Sequence, residues 1–162
     1  MATTTTTSTS TVTVNAAFLQ EIKEVNQELF QRLLEVRQIL SRPVPFTMDG
    51  SLFVTKLAEL RDQLALHFAL EEAYGYFDDP VFVAPQLGRV AESLRAQHRE
   101  LYLEISQIAE QAERHQYRGQ LPSWIVVLAG AFMRFHHRFQ QHESRENELI
   151  QQAYDDDLGG SE

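Results

Sequence analysis

The sequence predicts an all-α protein that folds as an up-down-up-down four-helix bundle. Three observations lead to this fold class. Apolar residues recur every three or four positions in four separate segments, Pro or Gly interrupts the chain between these segments, and no segment reads as a strand with a partner. The connections are short, which favours antiparallel neighbours. At 162 residues and 43% apolar composition, the chain suits one domain, expected over residues 15–158.

The first helix is expected to begin after Asn15, a good N-cap residue. The Thr/Ser tract over residues 1–14 is interpreted as a disordered tail, because it is polar and repetitive and has no core to join. A short edge strand is the alternative for this tract. The apolar stripe of the helix comprises Phe18, Ile22, Val25, Leu29, Leu33, Val36 and Leu40. Two prolines in the segment 41–45 end the helix, since proline cannot continue it.

The second helix is expected to start near Asp49 and to close at Gly75 and Pro80. Its stripe comprises Leu57, Leu60, Leu64, His67, Glu71 and Tyr74. A histidine and a glutamate four residues apart therefore interrupt an otherwise apolar seam. Residues at this spacing stack on the same face of a helix.

The third helix is expected to open at Pro85, and Gly119 and Pro122 separate it from a fourth helix capped by Ser123. The third stripe comprises Leu87, Ala91, Leu94, His98, Leu101, Ile105, Ile108 and Ala112. The fourth comprises Ile125, Leu128, Phe132, Phe135, Phe139, His142, Glu146, Leu149 and Ala153. The fourth helix repeats the His–Glu pair at a spacing of four and ends in a polar tail, of which residues 159–162 are expected to be flexible.

The polar residues of the three stripes should meet at one level of the bundle. In antiparallel neighbours, residues equally far from the shared loop lie at equal height. At a rise of about 1.5 Å per residue, the histidines of neighbouring helices should differ in height by only a few Å. The expected cluster comprises His67, Glu71, His98, His142 and Glu146. Buried carboxylates are costly unless they are compensated, and a metal ion bound by both residue types would compensate them.

The residue types of this cluster limit which metal ions it could bind. The chain has no cysteine, so thiolate sites and disulfides are excluded, and imidazole with carboxylate suits iron, manganese or zinc. Carboxylates from facing helices favour two metal ions. Without metal, the facing carboxylates of Glu71 and Glu146 should repel each other, because no Lys or Arg lies on their stripes to pair with them. One or both are expected to hold a proton or draw in water.

Other polar residues lie near the cluster but off the stripes. Glu72 and Glu143 are interpreted as extra ligands, partners of ligands or surface charges. His136 and His137 are expected on the surface, as are Glu24 and Glu28 of the first helix. The ligand set expected from the stripes therefore leaves Glu72 and Glu143 open as additional residues of the site.

The net charge of −9 argues against nucleic acid or an anionic membrane as the main partner. No apolar run approaches the ~20 residues that span a bilayer. The polar start lacks the features of a secretory signal, and a cytoplasmic location is expected. No nucleophile triad, P-loop or nucleotide fingerprint supports a conventional hydrolase or kinase.

Three segments resemble the hemerythrin-like (HHE cation-binding) family. They are HFALEEAYGYF over residues 67–77, AQHRELYLEI over residues 96–105 and QHESRENELI over residues 141–150. The resemblance covers about residues 16–158 and implies a four-helix bundle with a non-haem di-iron centre. Two iron ions would be bridged by two carboxylates and an oxo or hydroxo group. The residues that match the family's ligands are His67, Glu71, His98, His142 and Glu146, with the two glutamates as bridges.

The sequence also departs from the oxygen carriers of that family. Its first helix has no histidine, Tyr102 stands where carriers have a second third-helix histidine, and the fourth-helix acid follows at four residues, not five. Tyr102 is a candidate ligand or hydrogen-bond donor near the site. A carboxylate-rich site stabilises ferric iron, which disfavours reversible O₂ carriage.

These departures favour a binding protein that senses or handles oxygen or iron, with O₂ or a related small molecule as its ligand. One alternative is a di-iron oxidase or peroxidase on the same site. The other is a metal-free helical interaction protein with a degenerate site. The sequence identifies no protein partner.

Overall fold

The computed structural model describes the backbone of residues 8–41, 49–73, 81 and 84–159, with side chains over 24–41, 49–73, 81, 84–153 and 155. Its elements are α1 (Ser8–Leu40), α2 (Gly50–Ala73), a short 3-10 helix (Pro85–Leu87), α3 (Gly88–Tyr117) and α4 (Leu121–Gly159). The described residues form no strand. The predicted all-α, four-helix fold class is confirmed.

The ends of α2 and α3 follow from local chemistry. Asp49 caps α2, because its Oδ1 accepts hydrogen bonds from the N–H groups of Ser51 at 3.0 Å and Leu52 at 3.4 Å. Gly119, with φ of 67°, ends α3 in a left-handed conformation that glycine adopts without strain. The N–H groups of Gly119 and Gln120 then donate to the last carbonyls of the helix, at 3.0 and 2.8 Å. Glycine at this position therefore fixes the turn into α4.

Three helix starts differ from the sequence expectation. α1 begins at Ser8 and not after Asn15, because each Ser or Thr added to an existing helix costs only tenths of a kcal/mol and gains a backbone hydrogen bond. The disordered tail was expected over residues 1–14. Residues 8–14 instead belong to α1, and residues 1–7 lie outside the described residues. Pro85 opens a 3-10 turn that leads into α3, and α4 begins at Leu121, two residues before Ser123.

Ion pairs show how neighbouring helices align. Arg32 of α1 lies 2.7 Å from Glu59 of α2, and Lys56 of α2 lies 3.2 Å from Glu35 of α1, which is an antiparallel register. Arg138 of α4 similarly reaches Glu104 of α3 at 2.6 Å. Ion pairs between groups as exposed as these contribute little to stability, because solvent screens them. They define the register more than they determine stability.

Two apolar clusters fill the bundle, and the polar cluster lies between them. The larger one contains the biggest fully buried side chains, among them Phe53, Phe132, Phe135 and Phe139. The smaller one comprises Ala84, Leu87, Ala91, Leu94, Leu149 and Ala153. On α3, His98 follows Leu94 of the small cluster and precedes Leu101 of the large one, so the polar layer separates them. Within the described residues, no helix is both long and apolar enough to cross a bilayer.

Candidate metal centre

On α2, His67 and Glu71 form a buried pair. Their spacing of four residues stacks the side chains, and Nε2 of His67 lies 2.8 Å from Oε1 of Glu71. Each residue is only 2% exposed, because the inward stripe of α2 carries both into the bundle. The expectation that these two residues share one face is confirmed.

On α4, His142 and Glu146 form a matching pair, with 2.7 Å between Nε2 of His142 and Oε1 of Glu146. His98 of α3 lies between the two pairs. Its Nε2 is 3.3 Å from Oε2 of Glu71 and 3.2 Å from Oε1 of Glu146. The structure therefore brings all five residues of the expected cluster to one level, and all five are buried.

These residues and Glu143 form two overlapping groups of atoms that could hold a metal ion. One group comprises Glu71, His98, His142 and Glu146, and the other comprises His67, Glu71, Glu143 and Glu146. Within each group the ligand atoms lie within 4.8 Å of one another. Glu71 and Glu146 belong to both groups. A pair of carboxylates shared by two adjacent positions is the geometry that bridges two metal ions.

Glu143 and Glu72 have different positions, although each directly follows a residue of the cluster. Oε1 of Glu143 lies 3.0 Å from Nε2 of His67, the same ring nitrogen that Glu71 contacts, and its side chain is 20% exposed. Glu72 is 45% exposed and lies 3.0 Å from Nδ1 of His98, on the ring edge away from the cluster. Glu143 is thus placed as a potential ligand and Glu72 as a support for one.

Two hydrogen bonds orient the rings of His98 and His142. Nδ1 of His142 donates to Oε1 of Gln97 at 2.9 Å, and Nδ1 of His98 donates to Glu72. In each ring, these bonds leave Nε2 facing the cluster. Outer partners of this kind fix the ring orientation of metal-binding histidines and raise their basicity.

Aromatic rings enclose the site. Phe68 stacks on His98 with centroids 3.9 Å apart and planes at 9°, and its edge meets His142 at 5.7 Å. Phe139 contacts His67 edge-on at 6.2 Å. Both phenylalanines are buried. They keep water from the polar layer and hold the imidazoles in place.

The histidines carry the positive charge of the metal-free cluster. Burial lowers the pKa of His67, but hydrogen bonds to Glu143 and Glu71 outweigh it and raise the pKa to about 10. Burial likewise lowers the pKa of His98, while Glu146 and Glu71 raise it to about 9. Burial raises the pKa of Glu71, yet the adjacent imidazoles of His67 and His98 bring it below its usual value. A proton on Glu71 is therefore disfavoured, because these pKa directions place the proton on imidazole. The expectation for Glu146 stays a prediction.

Several buried polar atoms of the cluster have no hydrogen-bond partner within the part of the chain that the structure describes. Oε2 of Glu71, Oε2 of Glu146 and Nε2 of His142 are buried and accept or donate no hydrogen bond. The short contact of Nε2 of His142 to Glu146 lacks hydrogen-bond geometry. Buried polar atoms without partners are uncommon and costly. All three are electron-pair donors of the two groups, so the donor set fits a cation.

Tyr102 lies outside the cluster. It is 38% exposed, whereas Leu101 is buried and takes the inward position one turn after His98. On a helix, Tyr102 is rotated by about 100° from Leu101, toward solvent. His137 is exposed as expected, but His136 is half-buried against Phe132 at 6.0 Å, and burial followed by the nearby Arg37 lowers its pKa.

The contribution of α1 is described only in part. Because α1 and α2 are antiparallel and Arg32 faces Glu59, moving eight residues along α2 to His67 corresponds to moving eight back along α1 to Glu24. Glu24 and Glu28 are exposed, as expected. Side chains before Glu24, which would face the level of Glu71, lie outside the described residues.

Sequence reasoning missed Gln97 and Phe68. Both directly neighbour a predicted ligand, Gln97 before His98 and Phe68 after His67. A polar residue beside a seam histidine was the available signal for Gln97. However, Gln97 forms its hydrogen bond with His142 of α4, and its sequence neighbour His98 is not its partner.

The family model of the Hemerythrin HHE cation binding domain matches residues 17–154, most of the described bundle. Neither a curated protein nor a solved structure matches this chain.

Proposed function

The chain belongs to the hemerythrin HHE cation-binding domain family, and from this premise we propose that it is a non-haem di-iron protein that senses or handles oxygen or iron. One observation carries the proposal: Glu71 and Glu146 are shared by two adjacent groups of ligand atoms. A single-metal site has no use for two shared carboxylates, whereas a two-metal site needs such bridges.

The ligands divide unequally between the two positions. Beside the shared glutamates, one position has His98 and His142, and the other has His67 and Glu143. This allocation assigns Glu143 as a sixth ligand. Both donor types suit iron, with manganese or zinc as substitutes. Each position lies between helices, so bound metal would link α2, α3 and α4.

When bound, a pair of iron ions supplies redox chemistry and affinity for O₂ or a related small molecule. The chain's own residues contribute the environment. Phe68 and Phe139 exclude water, while Glu72 and Gln97 hold the Nε2 atoms of two histidines toward the centre. Carboxylates equal or outnumber imidazoles at both positions, which favours the ferric state. The proposal includes the cytoplasmic location expected for this acidic, cysteine-free chain.

Iron content tests the proposal directly. After iron-replete expression we expect about two iron ions per chain and charge-transfer absorption in the near-ultraviolet when the protein is oxidised. Glu146→Gln should lose this iron, whereas Glu110→Gln, an exposed glutamate on α3, should retain it. Protein that contains no iron and takes up none anaerobically would disprove the di-iron proposal. It would favour the metal-free interaction protein instead.

Exposure of the reduced protein to O₂ separates sensing or handling from carriage. We expect O₂ to oxidise the centre in one direction, because the carboxylate-rich ligand set stabilises ferric iron. The measurement is the visible spectrum during cycles of O₂ addition and degassing. A band that appears with O₂ and clears on degassing would identify a carrier.

A further inference from the structure

We propose that the seam between α3 and α4 beside His142 is the entrance through which a small inorganic anion reaches the metal centre, and that Arg145 selects for its negative charge. This inference rests on the proposed function, because it assigns the class of ligand that the same site takes.

A small cavity opens the seam at this point. It has a volume of about 170 Å³ and is lined by Gln97, Leu101, Arg138, Gln141, His142 and Arg145. His142 is only 1% exposed, yet it forms part of this lining. A larger groove of about 440 Å³ runs along α3 and α4 and shares Gln97 and Arg145 with the cavity. The two spaces therefore adjoin, and together they lead from the surface to the imidazole ring of His142.

Within the described part of the chain, Arg145 places a positive charge without an ion-pair partner at this entrance, although the protein as a whole carries −9. Arg138 is neutralised by Glu104 and Glu100, at 2.6 and 3.2 Å. Arg145 pairs with no carboxylate among the described residues; Glu148 lines the larger groove with it but forms no ion pair. An uncompensated guanidinium at the mouth of a cleft concentrates anions there and speeds their association.

Gln97 supplies a second donor at the same place. Its Oε1 accepts the hydrogen bond from His142, so its amide nitrogen remains as a donor beside Arg145. Gln97 lines both the cavity and the groove. An anion in the cavity would meet a fixed amide and a guanidinium, and the His142 ring lies directly behind them.

The size of the cavity limits the ligand. At about 30 Å³ per water molecule, 170 Å³ holds roughly five waters. Anions of three or four heavy atoms, such as azide, nitrite or bicarbonate, fit this space. Nucleotides and other large phosphates do not.

Azide is the probe for the test, with iron-loaded protein and stopped-flow absorbance. At low ionic strength, Arg145→Gln should slow azide association about 5-fold and Arg145→Glu about 20-fold or more, and added salt should reduce the difference. Association of nitric oxide, which is neutral, should change less than about 2-fold in the same variants. Arg118→Gln is the matched control, because it removes the same charge from an exposed position just after the end of α3, about 30 Å from Gln97 along the helix axis. Iron-loaded Arg145→Glu protein that binds azide at the wild-type rate would overturn the inference.

A second readout uses metal-free protein. Azide should shift the side-chain amide resonances of Gln97 in the NMR spectrum of the wild type, and Arg145→Gln should abolish the shift. No shift in the wild type would also overturn the inference. Failure to load iron, by contrast, would refute the proposed di-iron function. The azide titration of the metal-free protein would still test whether an anion binds at the entrance.

Discussion

Glu71 touches His98 across the interface between α2 and α3, with Oε2 of the carboxylate 3.3 Å from Nε2 of the imidazole. Its other oxygen lies 2.8 Å from His67 on its own helix. One buried carboxylate is therefore the counter-ion of two protonated histidines in the metal-free protein. Glu71 also belongs to both groups of atoms that could hold a metal ion, so a bound metal ion would compete with protons for its contacts.

Metal uptake should release protons. The pKa values of His67 and His98 are about 10 and about 9, so both rings are protonated at pH 7 and must lose a proton to bind metal. We expect release of about two protons per chain at pH 7 and an affinity that rises with pH. Calorimetric titration with Fe²⁺ under anaerobic conditions, in buffers of different ionisation enthalpy, measures the number. Proton release near zero would show that these histidines are not ligands.

The stability of the metal-free protein should be highest at mildly acidic pH, because His67 and Glu71 lose their contributions in opposite pH directions. The pKa of folded His67 is raised above 6.5, so its contribution is fully present below pH 6.5 and is lost as the pH rises toward about 10. The pKa of folded Glu71 is lowered from 4.5, so its contribution is present above pH 4.5 and is lost on acidification. Melting temperatures measured without metal should peak between these limits. In His67→Gln the decline on the alkaline side should flatten; an unchanged decline would contradict the assignment.

Removing either shared glutamate should abolish the effect of iron on stability. Bound metal stabilises the folded state by mass action, so the iron-induced rise in melting temperature should vanish in Glu71→Ala and Glu146→Ala. Without metal, Glu71→Ala should be destabilised by about 1–3 kcal/mol, because His67 and His98 lose a buried partner. Thermal unfolding with and without Fe²⁺ under anaerobic conditions gives both quantities.

The control for these variants is Glu110→Ala, whose side chain is exposed and which should behave as the wild type. Glu59 is less suitable, because its carboxylate binds Arg32 and Lys56. A wild-type iron-induced shift in both glutamate variants would remove Glu71 and Glu146 from the ligand set. The presence of Glu71 and Glu146 in both groups of atoms would then not reflect metal binding.

Glu72 and Gln97 should affect metal affinity through the histidines that they orient. Glu72→Ala and Gln97→Leu each remove the partner of one Nδ1 atom, and we expect about 10- to 100-fold weaker binding of Fe²⁺. The melting temperature without metal should change little, since Glu72 is half-exposed and Gln97 lies at the surface seam. Glu92→Ala, an exposed change on α3, is the control. Equal affinity in all four proteins would mean that ring orientation does not depend on these bonds.

Helical periodicity was sufficient to predict both the bundle and the five central polar residues. An apolar stripe must be buried, so a histidine or glutamate on that stripe is buried with it, as His98 between Leu94 and Leu101 illustrates. Helix ends were predictable where one residue dictates the backbone, as Asp49 and Gly119 do. They were less predictable at α1, where propagation from an existing helix decides the start.

The sequence by itself determined which residues enter the interior, because the periods of 3.6 and four residues are properties of a single helix. Only the tertiary structure decided what those residues meet there. Contacts such as that of Gln97 with His142 cross from α3 to α4, and the rotation of each helix about its axis sets them. The protonation of the cluster also depends on this packing. His67 and His98 hold their protons because three carboxylates approach them from two helices, those of Glu71, Glu143 and Glu146. The distances between side chains on different helices cannot be predicted from residue spacing along one helix.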